Sequence, residues 1–170
     1  MNCLNCNIRG ITTPGRKPMI IDTIHRTQAT VVCFQETKKE TLTDSFLKSI
    51  VGNRNFSWNM LPSIGSAGGI LMGVDLDLFD ILSWEIRKFS IACQVNFRPK
   101  NLSLTFISVY GSPYEEGKEE FISELHSILM GTSGPMLIAG DFNLVRYQTD
   151  KSNGNVDQRW CDKFNSWIGI

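Results

Sequence analysis

The chain has 170 residues, 42% of them hydrophobic and 20% charged, with 17 Lys+Arg against 17 Asp+Glu. This is ordinary globular composition, and the length predicts one domain over 1–170. A net charge of zero excludes a protein drawn onto nucleic acid by its overall field, so any phosphate affinity must come from local groups. No apolar run approaches the length of a membrane span, and Met1-Asn2-Cys3 does not open a signal peptide. The expectation is a soluble intracellular protein, nuclear or cytoplasmic, without a membrane or protein partner.

Residues 2 to 8 alternate loosely and predict a strand ending at Asn7-Ile8-Arg9-Gly10. Pro14, Gly15 and Pro18 mark a loop, and Pro18 suits the first position of a helix with Ile20, Ile21 and Ile24 on one face. Thr30 to Phe34 is β-branched and apolar, a buried strand that delivers Gln35-Glu36-Thr37-Lys38 at its end. Leu42, Phe46, Leu47 and Ile50 follow at helical spacing. Phe56 to Leu61 predicts a strand leading to Gly65-Ser66-Ala67-Gly68-Gly69. A phosphate-cradling glycine loop opens a helix, whereas Ile70 to Val74 reads as a strand; close backbone packing accounts for these glycines.

Phe79 to Phe97 predicts two strands, with Ile91, Cys93, Val95 and Phe97 on one face and Ala92, Gln94 and Asn96 on the other. Leu102, Leu104 and Phe106 alternate likewise in a strand ending at Val109-Tyr110-Gly111. Ser112-x-x-Glu115 has the form of a capping box. The helix behind it carries Phe121, Ile122, Leu125, Ile128 and Leu129 on one side, and its Glu115, Glu116, Glu119, Glu120 and Glu124 read as a solvated face. Met136 to Ala139 reads as a buried strand, followed by a polar loop through Asn155 and an amphipathic helix carrying Trp160, Phe164, Trp167 and Ile168. Strands mixed with helices in this order predict a layered α/β sandwich rather than a purely parallel sheet. His25 and His126 fall inside helices, as surface or core-edge residues.

Five cysteines are an odd count with no secreted disulfide pattern. Cys3-x-x-Cys6 lies in the first strand, where a redox pair would want a helix start. Cys33, Cys93 and Cys161 stand singly without a neighbouring His, which is not a zinc spacing. The pair reads as ordinary strand residues.

Chemistry enters at the strand ends. Gly140 lets the chain turn after Met136 to Ala139, and Asp141 and Asn143 then project the same way, because alternate residues of an extended chain share a side. The carboxylate can hold a metal, a water or a proton; the carboxamide offers both a donor and an acceptor. Alone, this stretch reads equally well as an Asx-rich turn. Asn7, Glu36 and Tyr110 stand at three further predicted strand ends, and polar residues gathered there are how α/β domains build sites.

With these segments in order, the chain resembles the endonuclease/exonuclease/phosphatase family. The matching stretches are Asn7-Ile8-Arg9-Gly10, Gln35-Glu36-Thr37-Lys38, Gly68-Gly69-Ile70, Val109-Tyr110-Gly111 and Gly140-Asp141-Phe142-Asn143. The first two, with Ser66-Ala67-Gly68-Gly69-Ile70, look most like endonuclease domains of plant non-LTR retrotransposons. The resemblance implies a four-layer α/β sandwich of the deoxyribonuclease-I-like type and phosphodiester hydrolysis of DNA with Mg²⁺ or Mn²⁺. It implies that Glu36 is the main metal-ligating carboxylate and that Asn7 helps hold that end of the site. Tyr110 would donate to a phosphate oxygen, and Asp141 would orient or deprotonate the attacking water. Asn143 would position Asp141 and the phosphate. Lys38 and Arg9 would contact substrate at the rim, Lys38 having a solvated lysine as its plainer alternative.

Two departures from the family pattern stand out. Arg9 occupies the place where the repair-type branch carries an acidic metal ligand, and a cation cannot take that role. The family's domain also continues past a helix like that of Trp160 to Ile168 into further strands and an aspartate–histidine pair. The resemblance thus implies a domain incomplete at its C-terminus, lacking its last strands and impaired in hydrolysis. An inactive fragment or binding module of the same fold, or a phosphatase of the family, are the alternatives.

Overall fold

The computed structural model describes residues 1–65, 67–151 and 156–169. Ser66 of the glycine-rich stretch, residues 152–155 of the polar loop and Ile170 lie outside the described residues. The chain forms two compact units, Met1–Tyr110 with Gly134–Asp141, and Gly111–Ser133 with Phe142–Ile170. Among the described residues no helix is long and apolar enough to cross a membrane.

The first unit holds two four-stranded sheets and two helices. Its elements are β1 (Cys3–Asn7), α1 (Arg16–Thr27), β2 (Val31–Gln35), α2 (Asp44–Val51), β3 (Phe56–Leu61), β4 (Ile70–Asp75), β5 (Phe79–Ile86), β6 (Ser90–Phe97), β7 (Leu102–Tyr110) and β8 (Met136–Asp141). One sheet has the order β1-β2-β4-β3, the other β5-β6-β7-β8. The β1–β2 and β7–β8 pairs are parallel, and the remaining pairs are antiparallel.

The two-residue period sorts the core. Val31, Cys33, Ile70, Met72 and Val74 of the first sheet pack with Phe79, Ile91, Cys93, Val95, Leu104 and Phe106 of the second. The intervening Val32, Phe34 and Leu71 face the other way and join Ile20 and Ile24 of α1 and Ile50 and Val51 of α2. β2 and β4 are therefore buried on both faces, which is why they read as unbroken apolar runs. Each Ile or Phe buried in this way contributes about 1.5–3 kcal/mol.

A buried amide, that of Gln35, reaches from the first sheet to the second. Gln35 is fully buried and donates from Nε2 to Asn5 Oδ1 on β1 at 2.8 Å and to Ser108 Oγ on β7 at 2.9 Å. Gln35→Ala removes one partner of the buried Ser108 hydroxyl and should lower unfolding stability by about 1 kcal/mol. A urea midpoint equal to wild type would show that this pin carries no stability.

The second unit is built on α3 (Glu115–Gly131) and α4 (Gln158–Ile168). Phe142 is its aromatic centre, with ring centroids 5.2 Å from Phe164, 5.9 Å from Trp167 and 6.2 Å from Phe121. Glu115 binds Arg159 and accepts from Trp160 Nε1 at 2.6 Å, and Glu119 binds Lys163. The acidic run is thus only partly a solvated face, since two of its members hold α3 to α4.

Several sequence expectations shift. α1 starts at Arg16, placing Pro18 at the third helical position, where a backbone N–H would still lack a partner; Ile21 is exposed. Leu42 precedes α2, whose cap is Thr43. Ser112 does not cap α3: its hydroxyl accepts from Tyr114 N at 3.2 Å and contacts Tyr114 O at 2.9 Å, closing a local turn around Pro113. Glu115, engaged by α4, does not reach back to form the box. β8 forms where expected but is an edge strand with Leu137 41% exposed, because only β7 flanks it among the described residues. His25 and His126 are exposed on α1 and α3, and the buried face of α4 adds Cys161 while Ile168 is exposed. All five cysteines are free thiols, and Cys3 and Cys6 sit in β1. The thiol that hydrogen-bonds Cys3, and holds it below the usual cysteine range, is that of Cys33.

Candidate active site

Two parallel strand pairs, one at the edge of each sheet, set the site. In the first sheet β1 and β2 end together, with Asn7 beside Gln35. Past the strands the ladder continues through the turns: Ile8 N donates to Gln35 O at 3.0 Å and Gly10 N to Glu36 O at 2.7 Å. The β3–β4 connection straps the same turn, with Thr37 N donating to Gly69 O at 3.2 Å and Lys38 N to Gly68 O at 3.0 Å. Glycine is required there. A Cβ on Gly69, at φ +89°, would stand 2.2 Å from Thr37 Oγ1. The close-packing reading of these glycines holds for that position. In the second sheet β7 and β8 also end together, with Tyr110 beside Asp141.

The four strand ends meet within the first unit. Asn7 Nδ2 donates to Glu36 Oε1 at 2.7 Å and to Asp141 Oδ2 at 2.7 Å. The two carboxylate oxygens therefore lie no farther apart than twice that distance. Asn7 Oδ1 accepts from Arg9 N at 3.2 Å, which fixes the end of the amide that faces the acids. Tyr110 Oη stands 3.4 Å from Glu36 Oε1, and Lys38 Nζ 3.8 Å from Glu36 Oε2. Glu36 is mostly buried at its side chain and Lys38 is exposed.

Backbone strain gathers at this place. Arg9, Glu36 and Lys38 have φ of 47°, 53° and 54°, in the left-handed region that costs a non-glycine residue about 1–3 kcal/mol. The strap from Gly68 and Gly69 and the Gly10–Glu36 bond hold the chain in these conformations. A four-residue strand-end turn held this firmly fixes where the Glu36 carboxylate points.

Asn143 belongs to the second unit. The strand ends at Asp141 and Asn143 has φ 50°, so the alternation that would project both side chains the same way stops short of it. Its Nδ2 donates to Gly111 O at 2.8 Å. Gly111 has no room for a side chain, since a Cβ there would lie 2.0 Å from Phe142 O. Arg9 reaches the site through its backbone amide.

Gln35 was not among the expected site residues. It precedes Glu36 and anchors that strand end to Ser108, two residues before Tyr110. An amide closing an otherwise apolar strand was the available signal.

The donors fit a hard divalent cation. Glu36, Asp141 and Tyr110 present oxygens only, and the two acids converge on one neutral amide. Among the described residues no group of three or more His, Cys, Asp or Glu gathers. An ion here would take one or two carboxylates and keep several waters, as Mg²⁺ does.

The endonuclease/exonuclease/phosphatase family model matches residues 4–167, from within β1 to within α4. The chain belongs to this family. No curated protein sequence matches it. Among solved structures it is similar to a 3′-5′ exonuclease from Neisseria meningitidis, with TM-score 0.71 and 14% identity, covering 99% of this chain and 71% of that one. It is similar to an AP endonuclease from Archaeoglobus fulgidus, with TM-score 0.67 and 13% identity over 98% of this chain and 70% of that one. A third is TDP2 from D. rerio complexed with single-strand DNA product, with TM-score 0.62 and 16% identity over 85% of this chain and 61% of that protein. These likenesses are of fold: a mixed α/β architecture with two sheets and four helices, of the deoxyribonuclease-I-like type expected from the sequence. The chain spans less than two thirds of the TDP2 structure.

Proposed function

We propose that this family member hydrolyses phosphodiester bonds of DNA, using Mg²⁺ or Mn²⁺ at the Glu36–Asp141 pair. The observation that carries the reading is the Asn7 amide donating at 2.7 Å to both carboxylates, which unites strand ends from two sheets. Family membership and the nuclease neighbours support the reaction class.

The bound cation would supply Lewis-acid stabilisation of the charge that develops on the phosphate and its leaving oxygen. Glu36 would hold it, its carboxylate fixed in place by Asn7 and by its strained turn. Asp141 accepts the proton of the attacking water as that oxygen bonds to phosphorus and the P–O bond to the leaving sugar breaks. The Asn7 hydrogen bond at 2.7 Å fixes the orientation of the Asp141 carboxylate. Tyr110 swings from its long contact with Glu36 to donate to a phosphate oxygen, and Lys38 and Arg9 lie at the rim for the neighbouring strand. Asn143 supports the turn after Asp141 through Gly111.

Kinship with retroelement endonucleases belongs to this proposal and rests on the residues around Asn7 and Glu36.

Asn7 gives the sharpest local test. Asn7→Ala removes the shared donor and leaves two acids facing each other. Its hydrolysis rate should fall about 10–100-fold, and the Mg²⁺ concentration for half-maximal rate should shift, as when a ligand's supporting hydrogen bond is removed. Unchanged metal dependence and rate would remove Asn7 from the site.

A further inference from the structure

The β5–β6 turn, Arg87-Lys88-Phe89, lies at the same end of its sheet as Tyr110 and Asp141. Ser90 pairs with Val109, and Tyr110 N donates to Phe89 O at 2.9 Å. Tyr110 in turn pairs with Asp141. The turn, Tyr110 and Asp141 thus stand on three successive strands. Adjacent strands are about 5 Å apart, which puts the turn roughly 10 Å from Asp141.

Its chemistry differs from that of the site it flanks. Lys88 is exposed, with Nζ 5.4 Å from the centroid of the Phe89 ring. Arg87 is steered by Glu85, its Nε donating to Glu85 Oε1 at 2.7 Å. Across the site, Arg9 and Lys38 occupy the turns after β1 and β2. A chain of zero net charge therefore places cations on both flanks of its two central acids. A polynucleotide bound at the acids carries further phosphates along its strand toward this turn. In a nucleic-acid strand, phosphates recur about every 3.4 Å of helix axis, so roughly three nucleotides span the gap.

We infer that the Arg87–Phe89 turn is a strand-binding contact: Arg87 and Lys88 hold phosphates of a polynucleotide a few nucleotides from the bond at the acids. This rests on the phosphodiester reading above and gives its DNA substrate a second contact away from the acids. Phe89 serves as the apolar seat that keeps the Lys88 ammonium forward.

The test is fluorescence anisotropy of a fluorescein-labelled single-stranded 15-nucleotide DNA in EDTA, titrated across a salt series. Arg87→Gln/Lys88→Gln should weaken binding about 5–10-fold. It should also make the slope of log K against log salt shallower by about 1.4, from roughly 0.7 for each phosphate no longer neutralised. Lys88→Gln alone, at an exposed position tolerant of exchange, should give about half that slope change. A wild type that does not bind the oligonucleotide, or variants with wild-type affinity and slope, would overturn the inference. Binding with the expected slopes but without hydrolysis in Mg²⁺ supports the inference and removes the hydrolytic reading alone.

Discussion

Nicking of supercoiled plasmid in Mg²⁺ is expected to fall by about 10²–10⁴-fold in Asp141→Ala, the range typical of removing a general base. Glu36→Ala should lose a comparable amount, and EDTA should abolish wild-type nicking. The reason lies in the shared amide. Asn7 Nδ2 contacts both acids at 2.7 Å, so removing either carboxylate leaves the other without its counterpart across the reacting phosphate. Neither variant should unfold the chain, because separating two acids relieves repulsion and both side chains are only partly buried. Circular dichroism should therefore match wild type. Nicking by either variant at the wild-type rate would sink the assignment. A folded but inactive wild type would leave a binding module of the same fold.

The largest effect on folding is expected from Gly140→Ala. Gly140 faces Val109 across the β7–β8 pair, and a Cβ there would stand 2.0 Å from Val109 O and 2.8 Å from Val109 Cγ2. Backbone cannot withdraw as a flexible side chain does, so the strands must part. The cost should reach about 3 kcal/mol, the upper range for overpacking. The pairing of Tyr110 with Asp141, one residue on, would give way first, and activity should fall with stability. A thermal midpoint within a degree of wild type would show that β8 relaxes without strain.

Most of the first unit was legible from two signatures, unbroken apolar runs in β2 and β4 and two-residue alternation in β6. β2 and β4 are apolar on both faces, β3 has the expected bounds, and β6 alternates as read. Asn7, Glu36, Tyr110 and Asp141 were found by one rule, polar residues at strand ends, and the topology brings them together. What escaped depended on partners distant in sequence. The burial of β8 was overestimated because an apolar string does not say whether one strand or two will flank it. Ser112 and Glu115 had the spacing of a capping box, yet the hydroxyl closed a local turn and the carboxylate went to Trp160 and Arg159. Gln35 looked like a strand terminus, and only the facing sheet reveals that it spans to Ser108. The Arg87–Phe89 turn gave no signal by itself; its meaning comes from register with Tyr110.

The left-handed backbone at Arg9, Glu36 and Lys38 bears on how a substrate is met. A loop that orders only on binding spends part of its interaction energy on reduced freedom. Here the Gly10–Glu36 bond and the Gly68–Gly69 strap have already set the turns. The strain is carried by the folded chain in advance, so an arriving strand encounters a rigid template. Discrimination among substrates then depends on how well their shape fits it rather than on their ability to mould it.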